Sequence, residues 1–216
     1  MDGNAPIDTE HAFDVRLRDL LLVNCCRFER IAFEANGPIR RAAVAVAMVA
    51  GDDGAACFLL TRRAARLRTH RGQWALPGGR VDDGETALAA ARRELAEEVA
   101  VHVDEDAMLG VLDDYVTRSG YVITPVVVWC GPIAQPVADP REVAAVYRVP
   151  VAELDRPGLP HLRRIPESDR PVISLPLLGS NIHAPTAAIL YQFCEVAMNG
   201  RSTRVAHYEQ PVFAWR

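Results

Sequence analysis

Between Gly72 and Val101 the chain changes abruptly in composition, and that change fixes a local fold. Residues 72–84 hold Gly72, Pro77, Gly78, Gly79, Asp82, Asp83 and Gly84, a density of breakers that predicts loop. From Thr86, placed to be an N-cap, to about Val99 there is no Gly or Pro. Ala, Leu, Arg and Glu dominate there, so 86–99 predicts a helix. At about 100° per residue, Leu88, Ala91, Leu95 and Val99 share one arc and are predicted to be buried, with Glu94 and Glu98 at its border and Glu97 further round. Like charges four residues apart, as at Glu94 and Glu98, oppose an isolated helix by a few tenths of a kcal/mol, about enough to call for a compensating cation. Carboxylate oxygens are hard ligands of the kind Mg²⁺ or Mn²⁺ prefers, commonly alongside substrate phosphate oxygens. The competing reading is a solvated acidic face.

The longer pattern favours the cation. Gly79 is followed after five residues by Glu85, and after seven more by Arg93-Glu94-Leu95-Ala96-Glu97-Glu98-Val99-Ala100-Val101. This run resembles the Nudix box, the loop–helix–loop signature of the Nudix hydrolases, at every defining position except Ala100, where the family has Gly. A glycine there would end the helix in a left-handed conformation, so Ala is expected to cost about 1 kcal/mol. The resemblance implies a Nudix-type α/β/α sandwich around a mixed β-sheet and a metal-dependent diphosphatase. It implies Glu94 and Glu98 as principal ligands, Glu97 as a further ligand or general base, and Gly78 as a carbonyl donor to the metal. Arg93, with Glu85, would orient the carboxylates through charge-assisted hydrogen bonds. In that chemistry a divalent cation neutralises diphosphate oxygens and acidifies water, while a Glu accepts the proton as water attacks phosphorus in line. No Ser or Cys sits in a recognisable nucleophile setting.

Upstream stands Leu59-Leu60-Thr61-Arg62-Arg63-Ala64, then Arg68, Gly72 and Leu76-Pro77-Gly78-Gly79. This resembles the additional motif of the coenzyme A pyrophosphatase branch of the family, with Leu76 in place of Phe. It implies coenzyme A or an acyl-CoA as substrate, with Arg63, Arg68 and Gly72 as substrate-binding residues. Arg62, Arg63, Arg66, Arg68 and Arg71 read as a basic stretch on a loop leading to the acidic helix, suited to the coenzyme's 3′-phosphate. Thr117-Arg118-Ser119-Gly120 to Pro125, and Ala184 to Leu190, resemble later segments of the same branch. Other Nudix specificities stay open: ADP-ribose, dinucleoside polyphosphates and oxidised nucleoside triphosphates. So does a nucleotide-sensing domain without catalysis.

The rest of the chain predicts strands mixed with helices without strict βαβ alternation, an α/β sandwich. An amphipathic helix over 13–30, carrying Phe13, Leu17, Leu20, Leu21 and Phe28, forms an extension (1–35) to the main domain (36–216), and packs in cis or makes a homodimer interface. Strands are expected at 42–49 and 57–60, joined by a hairpin, and at 108–116, 121–130 and 143–149. A short helix near 151–154, a loop over 155–171 and a helix from Pro185 to Met198 complete the reading. Tyr208, Phe213 and Trp215 are expected to pack rather than line a pocket. The formal net charge of −4 argues against a nucleic-acid binder. Five scattered cysteines exclude a disulfide framework, and no apolar run approaches the ~20 residues of a membrane helix, so a cytoplasmic protein is expected.

Overall fold

A computed structural model describes residues 11–34, 39–66, 72–131 and 136–214. An eight-stranded mixed sheet forms the centre, in the order β3 (Trp74–Ala75), β2 (Ala56–Arg63), β1 (Arg40–Ala50), β7 (Tyr121–Trp129), β5 (Met108–Val111). β4 (Gly78–Arg80) adds to β1, β6 (Tyr115–Val116) to β7, and β8 (Val143–Pro150) to β2. β1 and β7 run parallel; the other pairings are antiparallel.

Alternation along β1 divides the core in two. Ala43, Ala45, Ala47 and Val49 face α2 (Ala87–Val99), packing with Ala91, Leu95 and Val99. Val46 and Met48 point the other way, into a larger cluster with Phe58, Leu60, Leu112, Ile173, Leu190 and Phe193. The small side chains on the first face let the helix lie close to the sheet. The second face is covered by α1 (Val15–Arg27), α3 (Thr186–Phe193) and a three-stranded antiparallel sheet of β9 (His161–Ile165), β10 (Ser168–Leu177) and β11 (Ser180–His183). The layering is that of the α/β/α sandwich, with a small sheet added to the second outer layer.

Several local expectations need correction. The 155–171 stretch is not simply loop, because β9 and the start of β10 lie in it. Pro171 is accommodated at a register shift between Ser168 and Val172, where a strand tolerates a residue without an N–H. Two short strands, β3 and β4, interrupt the glycine-rich loop, and 108–116 is two strands separated by buried Asp113. α1 is shorter than 13–30, capped by Asp14 through Leu17 N (3.0 Å), and its Leu20 is exposed while Leu17, Leu21 and Cys25 are buried. α1 packs within the chain: Asn24 Nδ2 donates to Ala197 O (2.9 Å), and Gly110 leaves room for Cys25, whose Cβ a side chain there would meet. The 186–198 helix runs as α3 and continues as a π-helical turn, Cys194–Met198. All five cysteines are free thiols, and no helix among the described residues is long and apolar enough to cross a membrane.

Candidate active site

The site begins with the close fit of β4 against α2. Gly78 and Gly79 pair with Val44 and Ala43 of β1. A side chain on Gly79 would overlap the Glu94 carboxylate, and one on Gly78 would overlap Ala43 O. Gly78 is therefore open only to glycine, its nearest neighbours being backbone, while a side chain at Gly79 would displace the Glu94 carboxylate. α2 is capped at its start by Thr86, whose Oγ1 accepts from Ala89 N (3.1 Å). It ends with Ala100 in the left-handed region (φ 55°, ψ 32°), Ala100 N bonding Ala96 O and Val101 N bonding Leu95 O (3.1 Å). The bond from Ala100 N to Ala96 O is the closing bond of an αL cap, made here without the usual glycine.

Helix geometry alone misplaces one acid. Leu88 is only partly buried, whereas Glu98, at the border of the predicted arc, is 3% exposed. The 136–142 turn and the end of β2 cover that flank. Glu98 Oε2 accepts from Gly78 N (3.1 Å), and Arg63 Nη1 stands 3.8 Å from Oε1, beyond hydrogen-bond distance. Burial pushes the Glu98 carboxyl up to about 7, the Gly78 bond and Arg63 opposing and Glu94 and Glu142 adding to the rise. Glu94 is also raised, by burial first, against Arg93.

Arg93 ties the loop to the helix. Nε and Nη2 meet the two oxygens of Glu85 (3.1 Å each), Nη1 meets Glu94 (2.8 Å) and Glu97 (3.1 Å), and Nη2 also donates to Arg80 O (2.9 Å). Its hydrogen bond to Arg93 leads the causes that hold Glu85 below the ordinary carboxylate range. Glu97 is the exposed acid, 59% open to solvent at its side chain.

Glu94 and Glu98, one turn apart and both partly deprived of water, are a hard-oxygen pair with too little positive charge around them, a donor set that fits a divalent cation. Among the described residues no three acidic, histidine or cysteine side chains are yet gathered as a finished metal cage. The carboxylates are instead turned toward Arg93, Arg63 and Gly78 N.

The other predicted positions separate. Arg62 and Arg63 belong to the end of β2 rather than to a loop, and Arg63 Nε is buried without a hydrogen-bond partner. Gly72 closes a turn at φ 63°, its N–H donating to Arg63 O (3.2 Å). Arg68 and Arg71 lie outside the described residues, as does Trp215. Leu76, where the motif has Phe, is buried in the larger core and is not in the lining of the cavity beside the site.

A cavity of about 620 Å³ opens beside this site, on the sheet face away from α2, and meets it through Gly79 and Arg63. Trp74, Ile123, His183 and Phe213 supply apolar and aromatic wall; Arg40, Arg80 and Tyr121 supply a polar one. The three glutamates are not in its lining. Phe213 therefore lines a pocket and is 59% exposed, contrary to the packing expectation, while Tyr208 is buried and takes a hydrogen bond from Tyr115 Oη at its carbonyl (3.1 Å). The sequence reading also missed Glu142, brought to the site from far along the chain by Ala64 N, which donates to its carbonyl (2.8 Å). No motif spacing marks it.

The loop–helix–loop, the mixed sheet beneath it and the pair of half-buried Glu94 and buried Glu98 define a carboxylate-site α/β domain with an adjoining ligand-sized cavity. The NUDIX domain family matches residues 39–174, and the chain belongs to that family. It is 45% identical over 123 residues to an uncharacterized Nudix hydrolase, NudL, of Cronobacter sakazakii, covering 56% of this chain and 63% of that protein. It is 40% identical over 139 residues to the protein of the same description in Citrobacter koseri, covering 62% and 71%. A crystal structure of a NUDIX hydrolase from Alicyclobacillus acidocaldarius shares the fold, with TM-score 0.52, 18% identity, and coverage of 78% of this chain and 99% of that one.

Proposed function

We propose that the chain is a metal-dependent hydrolase of nucleoside diphosphate derivatives, and that its substrate is coenzyme A or an acyl-CoA, split into a 4′-phosphopantetheine product and adenosine 3′,5′-bisphosphate. The observation that carries the reading is the charge-deficient pair of half-buried Glu94 and buried Glu98 at the edge of a cavity large enough for a nucleotide. Glu94 and Glu98, with Glu97 and the Gly78 carbonyl, would hold Mg²⁺ or Mn²⁺, which supplies charge neutralisation for diphosphate oxygens and acidifies water.

The chain's own groups divide the remaining work. Arg93 bonds Glu94 and Glu97 together and so positions both acids beside Glu98, from where they turn to the cation. Glu97, exposed and bonded by Arg93 at one oxygen, accepts the proton from the attacking water. Arg63, between Glu98 and the cavity, and Arg68 contact substrate phosphate, while Gly72 sets the turn that returns the chain to the site. The coenzyme A assignment rests on the run Leu59 to Gly79, within which Gly72 N donates to Arg63 O.

Incubation with Mg²⁺ or Mn²⁺ and, separately, coenzyme A, ADP-ribose, NADH and diadenosine polyphosphates, with products identified by mass spectrometry, tests the proposal. Release of adenosine 3′,5′-bisphosphate from coenzyme A, faster than any other cleavage, is expected. Preferential cleavage of ADP-ribose would remove the coenzyme A assignment and keep the hydrolysis; no cleavage of any compound would count against both.

A further inference from the structure

The cavity's polar wall contains a pair of cations that the site described above leaves unused. In β1, Arg40 and Ala42 alternate with Arg41 and Ala43, and the latter faces α2. Register carries the same parity to the neighbouring strands: Tyr121 pairs with Arg40 and Ile123 with Ala42 in β7, while Arg80 of β4 pairs with Ala42. Three strands thus turn Arg40, Tyr121 and Arg80 to the cavity face, and all three line it.

The two guanidinium groups converge on one ring. Arg40 Cζ is 4.4 Å from the Tyr121 centroid and Arg80 Cζ 5.7 Å, and Arg80 Nε donates to Tyr121 Oη (2.9 Å). Arg40 Nη2 donates to Ser119 O, and the tight turn at Gly120 (φ 80°) lies against the same nitrogen. Ser119 is also in the lining, its hydroxyl 3.0 Å from that of Thr117.

Among the arginines lining the cavity, charge accounting sets these two apart from Arg63, which stands against Glu98. Arg93 meets three carboxylates, Arg118 and Arg170 share Glu209, Arg204 meets Asp113, and Arg30 meets Asp114. Among the described residues neither Arg40 nor Arg80 meets a carboxylate; their partners are a ring, a phenol and a carbonyl, all neutral. Two like charges gathered at one ring repel, and an anion bound by both relieves that repulsion. Guanidinium forks and adjacent hydroxyls suit a phosphate. Alternation along β4 sends Gly79 toward Glu94 and Arg80 to the cavity wall, so the pair addresses the cavity from the other face of that strand.

We infer that Arg40 and Arg80, set on either part of Tyr121, form a subsite for a phosphomonoester that the substrate carries on its nucleoside in addition to the diphosphate. The inference rests on the nucleotide-hydrolase reading and sharpens it to nucleosides with an extra phosphate.

The test is calorimetric binding of adenosine 3′,5′-bisphosphate and of 5′-AMP, which differ by that one group, to the full chain and to R40Q and R80Q, each first checked for a cooperative thermal transition. The unaltered protein is expected to bind the bisphosphate at least about ten-fold more tightly, the scale of one lost charge-assisted contact, and each variant to shrink that ratio toward one. Equal affinity of the unaltered protein for the two ligands overturns the inference. So does an equal loss of both ligands in the variants, which would place the arginines on the 5′-phosphate or the base. Should one variant fail to fold, the other decides. Failure to cleave coenzyme A, with the binding ratio intact and arginine-dependent, would remove the proposed reaction and leave the subsite standing.

Discussion

Replacing Ala100 by Gly should stabilise the protein while leaving its chemistry alone. Ala100 holds φ 55°, ψ 32° and is exposed, so removal of its Cβ forfeits no packing. A left-handed conformation costs an L-residue with a Cβ about 1–2 kcal/mol. Glycine escapes that cost but brings extra freedom to the unfolded chain, worth about 0.4–1 kcal/mol in the opposite direction. The first effect exceeds the second, leaving a gain of about 1 kcal/mol. For a domain of this size that is a rise in Tm of about 2–4 °C. Thermal unfolding followed by circular dichroism gives the shift, and urea unfolding should show a higher midpoint at unchanged slope. An unchanged or lowered Tm would mean that the closing bonds from Ala100 and Val101 do not set the strain, and the reasoning would fail.

E97Q and E98Q should each keep the fold and lower turnover by orders of magnitude, measured as product release under saturating Mg²⁺; two fully active variants would refute the acid-site assignment. G79A should lose activity and Tm together, because its Cβ would displace the Glu94 carboxylate; wild-type behaviour in both assays would show that β4 can move aside. Without metal, Glu98 and Glu209 should respond to pH with opposite sign. The folded value of Glu98, about 7, lies above its ordinary 4.5, so its contribution is fully present below pH 4.5 and is lost as pH rises through 7. That loss is at most about 3 kcal/mol at 1.36 kcal/mol per unit, and it should vanish from the Tm–pH curve of E98Q. For Glu209, burial acts to raise the carboxyl, but bonds from Arg118, Gln210 N, Ser168 and Arg170 prevail and hold it at about 2. Its contribution is present above pH 4.5 and lost as pH falls through 2, so E209Q should flatten the acid limb of the same curve.

The acidic helix was legible because its determinants are local: a capping Thr86, an unbroken run of helix formers, and glycines at fixed spacing before it. Burial of Glu98 was not, because a helical arc says nothing about what the 136–142 turn and β2 will lay against its flank. β4 reads as loop because Gly78 and Gly79 have no strand preference; its strand character comes from pairing with β1. The β9–β10–β11 sheet was hidden for a related reason. His161 to Arg164 are exposed, with no apolar alternation to read, and Pro171 and Pro176 within β10 look like punctuation. The cavity wall is less legible still, since Arg40, Arg80, Tyr121, His183 and Phe213 come from five separate segments. Only strand register and the path of the C-terminal tail bring them together.

The alternation of β4, with Gly79 turned to the helix and Arg80 to the cavity, has a consequence for how such a protein changes over time and how it can be blocked. Adjacent positions in one strand answer to different pressures: on the proposed function, Gly79 leaves room for an acid that would hold the cation, while Arg80 faces the space a substrate would fill. A lineage can therefore exchange its diet without rebuilding its teeth. By the same partition, if the proposed function holds, an uncharged aromatic compound seated against Trp74, Phe213 and His183 would block the cavity without meeting Glu94 or Glu98, so an inhibitor need not imitate a diphosphate.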